Sequence, residues 1–387
     1  MHDYPHAGTT DGAFAEVDRA FHHNFATGTE VGAAVCVYHR GRPVVDLWAG
    51  WADPDHHNPW TPDTLTVLAS PTKALATTAL LHLADRHPLD LDTPIAAHWP
   101  EFARHGKDGI TPRMVLSHRS GVVTLDHAPL THDALRAHTP IAQALAEARP
   151  AWTPDSAHGY HATTYGHLVS ELIRRVTGQT VGQYFHHHIA TPLELDAHIG
   201  LKDPHAPLAT MLESKAEALM AGADPGEVEE LRDPTSLTYR ATIGSMSQDP
   251  ADPAVEDPSY GGLASARAMA RLFAALVGTV DGIRLISPAR TAELTRPHST
   301  GPCQVMYLPL TWGLGMQLAD SPVFPAESGL KNSFGLSGAN GVFVFADPEA
   351  ELAFAYTPNA GSAQMGGMDE RVRGLVEAVF HSVGHTG

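Results

Sequence analysis

Ser70 and Lys73 are the residues whose types and spacing most clearly suggest chemistry, because they stand three positions apart where a helix is predicted to begin. Ser70 can cap a helix, Pro71 suits the first helical position, and residues 74–83 are mostly good helix formers. Residues three apart share one helix face. An amine near a serine hydroxyl can take its proton during attack on a carbonyl, so the spacing predicts an activated serine nucleophile.

The start of this predicted helix adds a second favourable feature. Its free N–H groups and partial positive charge would stabilise an oxyanion formed beside Ser70. The four-residue pattern alone leaves a simple alternative open, in which Ser70 caps the helix and Lys73 is solvated. A second match, Ser328 to Lys331, contains Gly329 and predicts a loop, in which the one-turn spacing is not imposed.

Composition and charge restrict the class of protein. The chain has 387 residues, 43% of them hydrophobic and 18% charged, as in a globular protein. Its net charge of -18 and the lack of a basic run argue against a nucleic-acid partner. The polar N-terminus shows no secretory signal, and no apolar run is long enough to cross a membrane. We expect a cytoplasmic protein without a membrane partner, and the oligomeric state stays open.

Cysteines and histidines give no metal pattern. Cys36 and Cys303 do not make a disulfide framework or a zinc site. The chain has 26 histidines, including the run at 186–188. Consecutive helical residues point about 100° apart, so three in a row cannot converge on one ion. We therefore expect neither a metal nor another cofactor.

Predicted strands lie near both ends of the chain, and predicted helices fill the middle. The predicted fold class is α/β (α+β), a single domain over 1–387 with one antiparallel sheet made from both termini, flanking helices and an inserted all-helical region. We place an α/β subdomain at 1–65 and 285–387, and a helical subdomain at 66–284. The strands are expected at 31–38, 43–51, 312–318, 341–346 and 351–356, and the terminal helices at 12–27 and 369–383.

Residues 202–258 are less regular than their surroundings. A helix is predicted around 208–220, followed by segments rich in proline and aspartate. A connection of this length often has a function of its own. We therefore expect this stretch to cover a site or to form the wall of a substrate pocket.

Four segments together resemble a known superfamily. They are Ser70–Lys73, Leu116–Gly121, the tyrosine-bearing His158–Ala162, and Phe334–Ala339. In this order they are similar to segments of the serine β-lactamases and penicillin-binding proteins, and most similar to the class C β-lactamase-like esterases, the family VIII carboxylesterases. The resemblance covers about residues 12–384, and it puts Phe334–Ala339 on an edge strand beside the active site.

The resemblance implies acyl transfer through an acyl-serine, with a small-molecule ester, thioester or amide as the partner. Ser70 would attack the carbonyl and Lys73 would accept its proton. Tyr160 would relay a proton to the leaving group and activate the incoming water or alcohol. The backbone N–H groups of Ser70 and Ala339 would form the oxyanion hole.

Two positions depart from the family pattern. Ala162 stands where an asparagine often follows the tyrosine, so an amide contact to substrate is missing. Leu336 stands where lysine or histidine usually opens the last segment, ahead of Ser337 and Gly338, which are expected to line the substrate site with it. Since leucine cannot hold a substrate carboxylate, we expect uncharged esters or thioesters to be better substrates than β-lactams.

Two other classes of function remain open from the sequence. One is peptide chemistry, namely a β-lactamase, a D-amino-acid peptidase or a peptide cyclase. The other is a non-catalytic binding protein that keeps the cleft, which the leucine at position 336 makes conceivable.

Overall fold

A nine-stranded antiparallel sheet is built from strands at both ends of the chain, in the order β1-β3-β2-β12-β11-β10-β9-β8-β7. A second, three-stranded sheet has the order β4-β6-β5. The strands are β1 (His6–Thr10), β2 (Gly32–His39), β3 (Arg42–Gly50), β4 (Thr66–Val67), β5 (Ala197–His198), β6 (Leu263–Ala264), β7 (Ser299–Pro302), β8 (Pro309–Trp312), β9 (Gln317–Leu318), β10 (Phe334–Ser337), β11 (Phe343–Asp347) and β12 (Leu352–Pro358). This computed structural model describes residues 4–87, 89–126, 130–212, 225–247, 249–319, 321–324, 329–362 and 368–384.

Most of the helices lie between β4 and β7 in the chain. They are α1 (Ala15–Ala26), α2 (Thr72–Arg86), α3 (Pro112–Leu116), α4 (His132–Ala137), α5 (Thr139–Glu147), α6 (Thr164–Thr177), α7 (Val181–Phe185), α8 (Pro225–Arg232), α9 (Leu237–Ala241), α10 (Ala266–Val277), α11 (Pro288–Leu294) and α12 (Glu370–Gly384). Short 3-10 turns and one π-helical turn at His186–Ala190 complete the regular structure. Within the described ranges, no helix combines the length and apolar character needed to span a membrane.

The large sheet separates two hydrophobic clusters. Alternate residues of β2 point to opposite faces. Cys36 belongs to a cluster that also contains residues of α2, α6 and α10. Val35 and Val37 belong to a second cluster, which contains residues of α1 and α12. Every residue of β2 is therefore buried, which explains the continuous apolar run in its sequence. Below, the first cluster is called the inner cluster and the second the outer cluster.

A buried ionic group ties α12 to the start of β2. The guanidinium of Arg371 donates to Asp369 at 2.8 and 3.0 Å and to Glu30 at 3.0 Å. Glu30 also accepts a hydrogen bond from the Tyr356 hydroxyl. Burial raises the pKa of Glu30 to about 8, although the Arg371 charge opposes that change. Asp369 keeps a lowered pKa because Arg371 stabilises its carboxylate form.

The predicted fold class is confirmed, including the sheet made from both termini and the helices inserted between them. The subdomain boundaries at 65/66 and 284/285 stay a prediction. The single strand predicted over 312–318 is wrong, because the chain turns between Trp312 and Gln317 and thereby separates β8 from β9.

The helix predicted over 208–220 is wrong for its first five residues. The backbone N–H groups of Thr210 and Leu212 donate to Ala52 and Asn359, in distant segments, and Leu208 forms a bridge with Leu65. These hydrogen bonds replace those that a helix would use. Residues 213–220 lie outside the described part of the chain.

Candidate active site

The backbone before α2 sets the position of Ser70. Ala69 has a φ of 54°, a left-handed conformation that costs a residue with a side chain about 1 to 2 kcal/mol. The following turn is closed by hydrogen bonds from Thr72 to Ala69 and from Lys73 to Ser70. The helix begins at Thr72, and its cap uses no side chain. The alternative in which Ser70 serves as the helix cap is therefore wrong, and its hydroxyl is available for other contacts.

The hydroxyl of Tyr160 meets that of Ser70. Tyr160 Oη donates a hydrogen bond of 2.7 Å to Ser70 Oγ. The phenol ring stacks on Trp312 with ring centroids 5.7 Å apart and planes 7° apart. The Tyr160 backbone N–H donates to Cys303 Sγ at 3.1 Å. Stacking on one face and a backbone anchor together fix the direction of the phenol.

Lys73 lies behind this pair of hydroxyls and is enclosed. Its side chain is only 1% exposed, and Nζ lies 5.0 Å from the centroid of the Tyr160 ring. Nζ donates to the backbone carbonyl of Ser259 at 2.8 Å. Among the described residues this carbonyl is its one hydrogen-bond partner. The solvated Lys73 of the simple alternative is therefore wrong. However, Nζ makes no hydrogen bond with Ser70 or Tyr160 among the described residues, so the direct contact with Ser70 expected from the spacing is absent here.

Ser259 was not identified from the sequence, although it positions the lysine. Its backbone N–H donates to the Asp257 carboxylate at 2.9 Å, and its hydroxyl accepts from the Gly166 N–H at 3.0 Å. The atom that contacts Lys73 is a backbone carbonyl, which every residue type carries. No side-chain pattern could have indicated it.

Two buried histidines support Tyr160 from behind. The His161 backbone N–H donates to His118 Nδ1 at 3.1 Å, and the His161 ring bonds the Gly159 carbonyl and the Ser120 hydroxyl at 2.7 and 2.6 Å. Burial lowers the pKa of His118 well below its usual range and that of His161 to about 4. Both rings are therefore neutral near pH 7, and they add no positive charge to the site.

Ser70 and Tyr160 open into a cavity of about 240 Å³. Leu336, Ser337, Gly338 and Ala339 line the same cavity, as the sequence predicts. The sequence also predicts Ala162 as a substrate-binding residue. Its place at the cavity is wrong, because Ala162 is buried and does not line the cavity.

The rest of the cavity wall is mostly apolar. Met306, Leu308 and Leu310 contribute to it, together with Trp312. Among the described residues, no lysine, arginine or histidine lines the cavity, whereas Asp369 does, with its carboxylate paired to Arg371. A substrate carboxylate would therefore meet no cation in this wall.

The end of β10 approaches the start of α2 backbone to backbone. A Cβ added to Gly338 would lie 2.7 Å from the Leu68 carbonyl oxygen and 3.3 Å from Pro71 Cδ. Neither the Ser70 N–H nor the Ala339 N–H donates a hydrogen bond to another group of the described residues. The contact between β10 and α2 is thus flanked by two backbone N–H groups, those of Ser70 and Ala339, that have no acceptor among the described residues.

The edge-strand expectation for Phe334–Ala339 needs correction. β10 lies inside the large sheet, between β11 and β9. However, β9 pairs only with Phe334 and Gly335. The following residues, Leu336 and Ser337, pair with β11 alone. The edge of β10 that faces β9 is therefore unpaired at Leu336 and Ser337, which line the cavity, and paired at Phe334 and Gly335.

The expected role of 202–258 finds no direct support. None of its described residues lines the cavity. The Thr238 hydroxyl donates to the Val305 carbonyl at 2.7 Å, next to the cavity residue Met306. The described part of 202–258 therefore contacts Val305, which precedes a cavity residue, but it does not itself line the cavity. The pocket-wall prediction is wrong for those residues.

Other residues singled out by composition lie elsewhere. Ser328 is outside the described residues, and Lys331 is exposed in a separate groove. Among the described residues, Asp53, Asp55 and His57 form the one group whose ligand atoms could share a metal ion. It lies on an exposed turn in which Asp53 already accepts three backbone N–H groups. None of the three residues lines the cavity.

Comparison with known proteins identifies the family. A family model described as beta-lactamase matches residues 17–378. The chain belongs to the beta-lactamase family. The esterase/beta-lactamase LipL of Mycobacterium tuberculosis is 33% identical over 373 residues, which are 92% of this chain and 85% of that protein.

Solved structures of the beta-lactamase fold superpose over nearly the whole chain. A penicillin-binding-protein homologue from Caulobacter crescentus is 34% identical with a TM-score of 0.85, covering 98% of this chain and all of its own. A family VIII carboxylesterase is 33% identical with a TM-score of 0.83 and the same coverage. The resemblance inferred from the four short segments is therefore confirmed at the level of the family.

We expect Gly338→Ala to slow reaction of Ser70 with a fluorophosphonate probe by about a hundredfold, since displacement by about 1 Å is enough for such a loss. The added methyl would press on the Leu68 carbonyl and separate β10 from α2. The matched control is Gly374→Ala in α12, where a Cβ has nothing within 4 Å and should leave the labelling rate unchanged. Labelling of Gly338→Ala at the wild-type rate would show that the close approach is unimportant.

Proposed function

We propose that this protein is a serine esterase that hydrolyses or transfers the acyl group of small, uncharged esters or thioesters through an acyl-Ser70 intermediate. The observation that carries this proposal is the 2.7 Å hydrogen bond between Tyr160 and Ser70 at the wall of an apolar cavity. Of the relatives compared above, one is named a family VIII carboxylesterase and one an esterase/beta-lactamase, and both names support ester hydrolysis here.

In the first half-reaction, Ser70 Oγ forms a bond to the substrate carbonyl carbon. Its proton passes to Tyr160 Oη, which for this step must have lost its own proton to the Lys73 amine, so that the hydrogen bond from the phenol to Ser70 is reversed. The carbonyl oxygen takes up the electron pair and becomes the oxyanion. The unengaged N–H groups of Ser70 and Ala339 are the proposed donors to it.

Collapse of this intermediate breaks the bond to the leaving group. Tyr160 returns the proton to the departing oxygen or sulfur, and the acyl group stays on Ser70. In the second half-reaction, water or an alcohol loses its proton to the same unit and attacks the ester carbonyl. Lys73 would compensate negative charge as it develops on the tyrosine, since its amine lies against the ring.

The chemistry of the cavity wall supports uncharged substrates. Leu336 is 2% exposed and lines the cavity, at the position where the last segment of the family pattern usually opens with a lysine or histidine. Among the described residues no cation lines the cavity, and Asp369, which does line it, is already paired with Arg371. β-Lactams and peptide C-termini carry a carboxylate, so these features favour an esterase over a β-lactamase or D-peptidase. The Tyr160–Ser70 contact with an enclosed lysine behind it favours an enzyme over a binding protein.

The proposed function predicts hydrolysis of p-nitrophenyl acetate and butyrate, with kcat/KM reduced at least about a thousandfold in Ser70→Ala. The loss follows because no other nucleophile would then face the carbonyl. Ser287→Ala is the matched control, since Ser287 caps α11 and does not line the cavity. Equal hydrolysis by the wild type and Ser70→Ala would contradict the assignment. Absence of hydrolysis by the wild type would favour the binding-protein alternative.

We expect Leu336→Lys to raise the ratio of kcat/KM for a carboxylate-bearing ester to that for a neutral ester by roughly ten- to a hundredfold. Charged hydrogen bonds of about 1.5 to 3 kcal/mol give this range. Leu308→Lys, which adds the same cation at another part of the wall, should change the ratio less. If wild-type protein hydrolysed nitrocefin as efficiently as its best ester, the carboxylate would be held elsewhere and the argument from Leu336 would fail.

A further inference from the structure

The cavity beside Ser70 reaches both faces of the large sheet. Leu336 and Trp312 belong to the inner cluster, and Phe343 and Val372 belong to the outer cluster, yet all four line this one cavity. The free side of β10, beyond its short pairing with β9, lies between the two groups of residues. The cavity therefore passes around the end of β10, and it joins Ser70 to lining residues of both clusters.

Gln317 is a polar side chain of the cavity wall that has no part in the mechanism proposed above. It is only 6% exposed, and its backbone pairs with Gly335 of β10. Neither polar atom of its carboxamide makes a hydrogen bond with another group of the described residues. These atoms are also absent from the fully enclosed polar atoms that lack a partner. The carboxamide therefore faces accessible space, and the space that Gln317 lines is the cavity.

In the free protein, water in this accessible space can bond the amide, but a substrate that fills the cavity displaces that water. Most of the neighbouring cavity wall is apolar and can supply no other partner. An amide left without a partner is costly, so a polar group of the substrate would have to take the place of the water. A carboxamide can donate through its nitrogen and accept through its oxygen, so it would bind a group that does both.

The charges near the cavity bear on the nature of that group. Asp369 lines the cavity, but its carboxylate is already paired with the Arg371 guanidinium at 2.8 and 3.0 Å. No lysine, arginine or histidine among the described residues lines the cavity. A neutral group that both donates and accepts therefore suits Gln317 better than a carboxylate, which would lie there without a cation.

We propose that Gln317 is a substrate-binding residue, and that the ester carries a neutral group with both donor and acceptor, such as a carboxamide, at a point separate from the reacting carbonyl. This inference rests on the proposed esterase function and names its substrate class more closely. The carboxamide could belong to the acyl or to the alcohol part of the ester. A carboxamide on either part would make the same hydrogen bonds with Gln317, so the experiment tests the acyl and the alcohol part in separate series of esters.

The test uses p-nitrophenyl esters whose acyl chains have two to five methylenes and end in a carboxamide, an isopropyl group or a carboxylate. These three ends have nearly the same shape and differ in hydrogen bonding and charge. At the best chain length, we expect kcat/KM for the carboxamide to exceed that for the isopropyl ester by about three- to tenfold, with the carboxylate lowest. A second series places the same groups on the alcohol of acetate esters, followed by acid release.

Gln317→Met keeps the length of the side chain and removes its hydrogen bonds. We expect the carboxamide-to-isopropyl ratio to fall to about one in the series in which the wild type shows a preference. A general loss of activity cancels in this ratio. Gln143→Met, at an exposed position of α5, is the matched control and should keep the wild-type ratio.

The wild type alone can overturn the inference, even if Gln317→Met does not fold. Hydrolysis of p-nitrophenyl acetate that depends on Ser70, without a carboxamide preference in either series, rejects the role of Gln317 and leaves the esterase proposal standing. A preference that persists in Gln317→Met also rejects it. Failure to hydrolyse any of these esters rejects both proposals.

Discussion

The hydrogen bond from Tyr160 Oη to Ser70 Oγ is the contact on which the candidate site depends. It joins a turn before α2 to a turn before α6, two segments 90 residues apart in the chain. Each partner is held independently of the other. Ser70 follows the left-handed Ala69, and Tyr160 is stacked on Trp312. Because backbone and aromatic contacts fix both groups, the hydroxyls are already placed for proton transfer before a substrate arrives.

The two sides of the Tyr160 ring differ in charge and polarity. Behind the ring, Lys73 is enclosed and bound to the Ser259 carbonyl. In front, the cavity is mostly apolar, and no cation among the described residues lines it. The histidines behind Tyr160 are neutral because burial lowers their pKa values. In the proposed mechanism, Lys73 would therefore act on the substrate through the tyrosine rather than by direct contact.

The parts of the site that could be predicted from sequence are those with local patterns. Ser70 and Lys73 stand three residues apart, and Tyr160 lies in a segment that resembles a family motif. The roles proposed for these residues could therefore be inferred from the sequence. The contact of Ser259 with Lys73 could not be predicted, since a backbone carbonyl leaves no mark on the sequence. Gln317 was also missed, because a turn inside the predicted strand 312–318 changes which residues reach the cavity. The sheet from both termini was predictable because apolar β-branched runs at each end needed partners.

A double-mutant cycle on Lys73 and Tyr160 tests the central claim most directly, namely that the two residues act as one proton-transfer unit on Ser70. The measurement is kcat/KM for a neutral p-nitrophenyl ester in Lys73→Ala, Tyr160→Phe and the double variant. General acid–base groups contribute about a hundred- to ten-thousandfold, so each single change should cost a loss in this range. If the residues form one unit, the double variant will be about as slow as the slower single variant. Losses that multiply, or single variants within a few-fold of the wild type, would contradict the account.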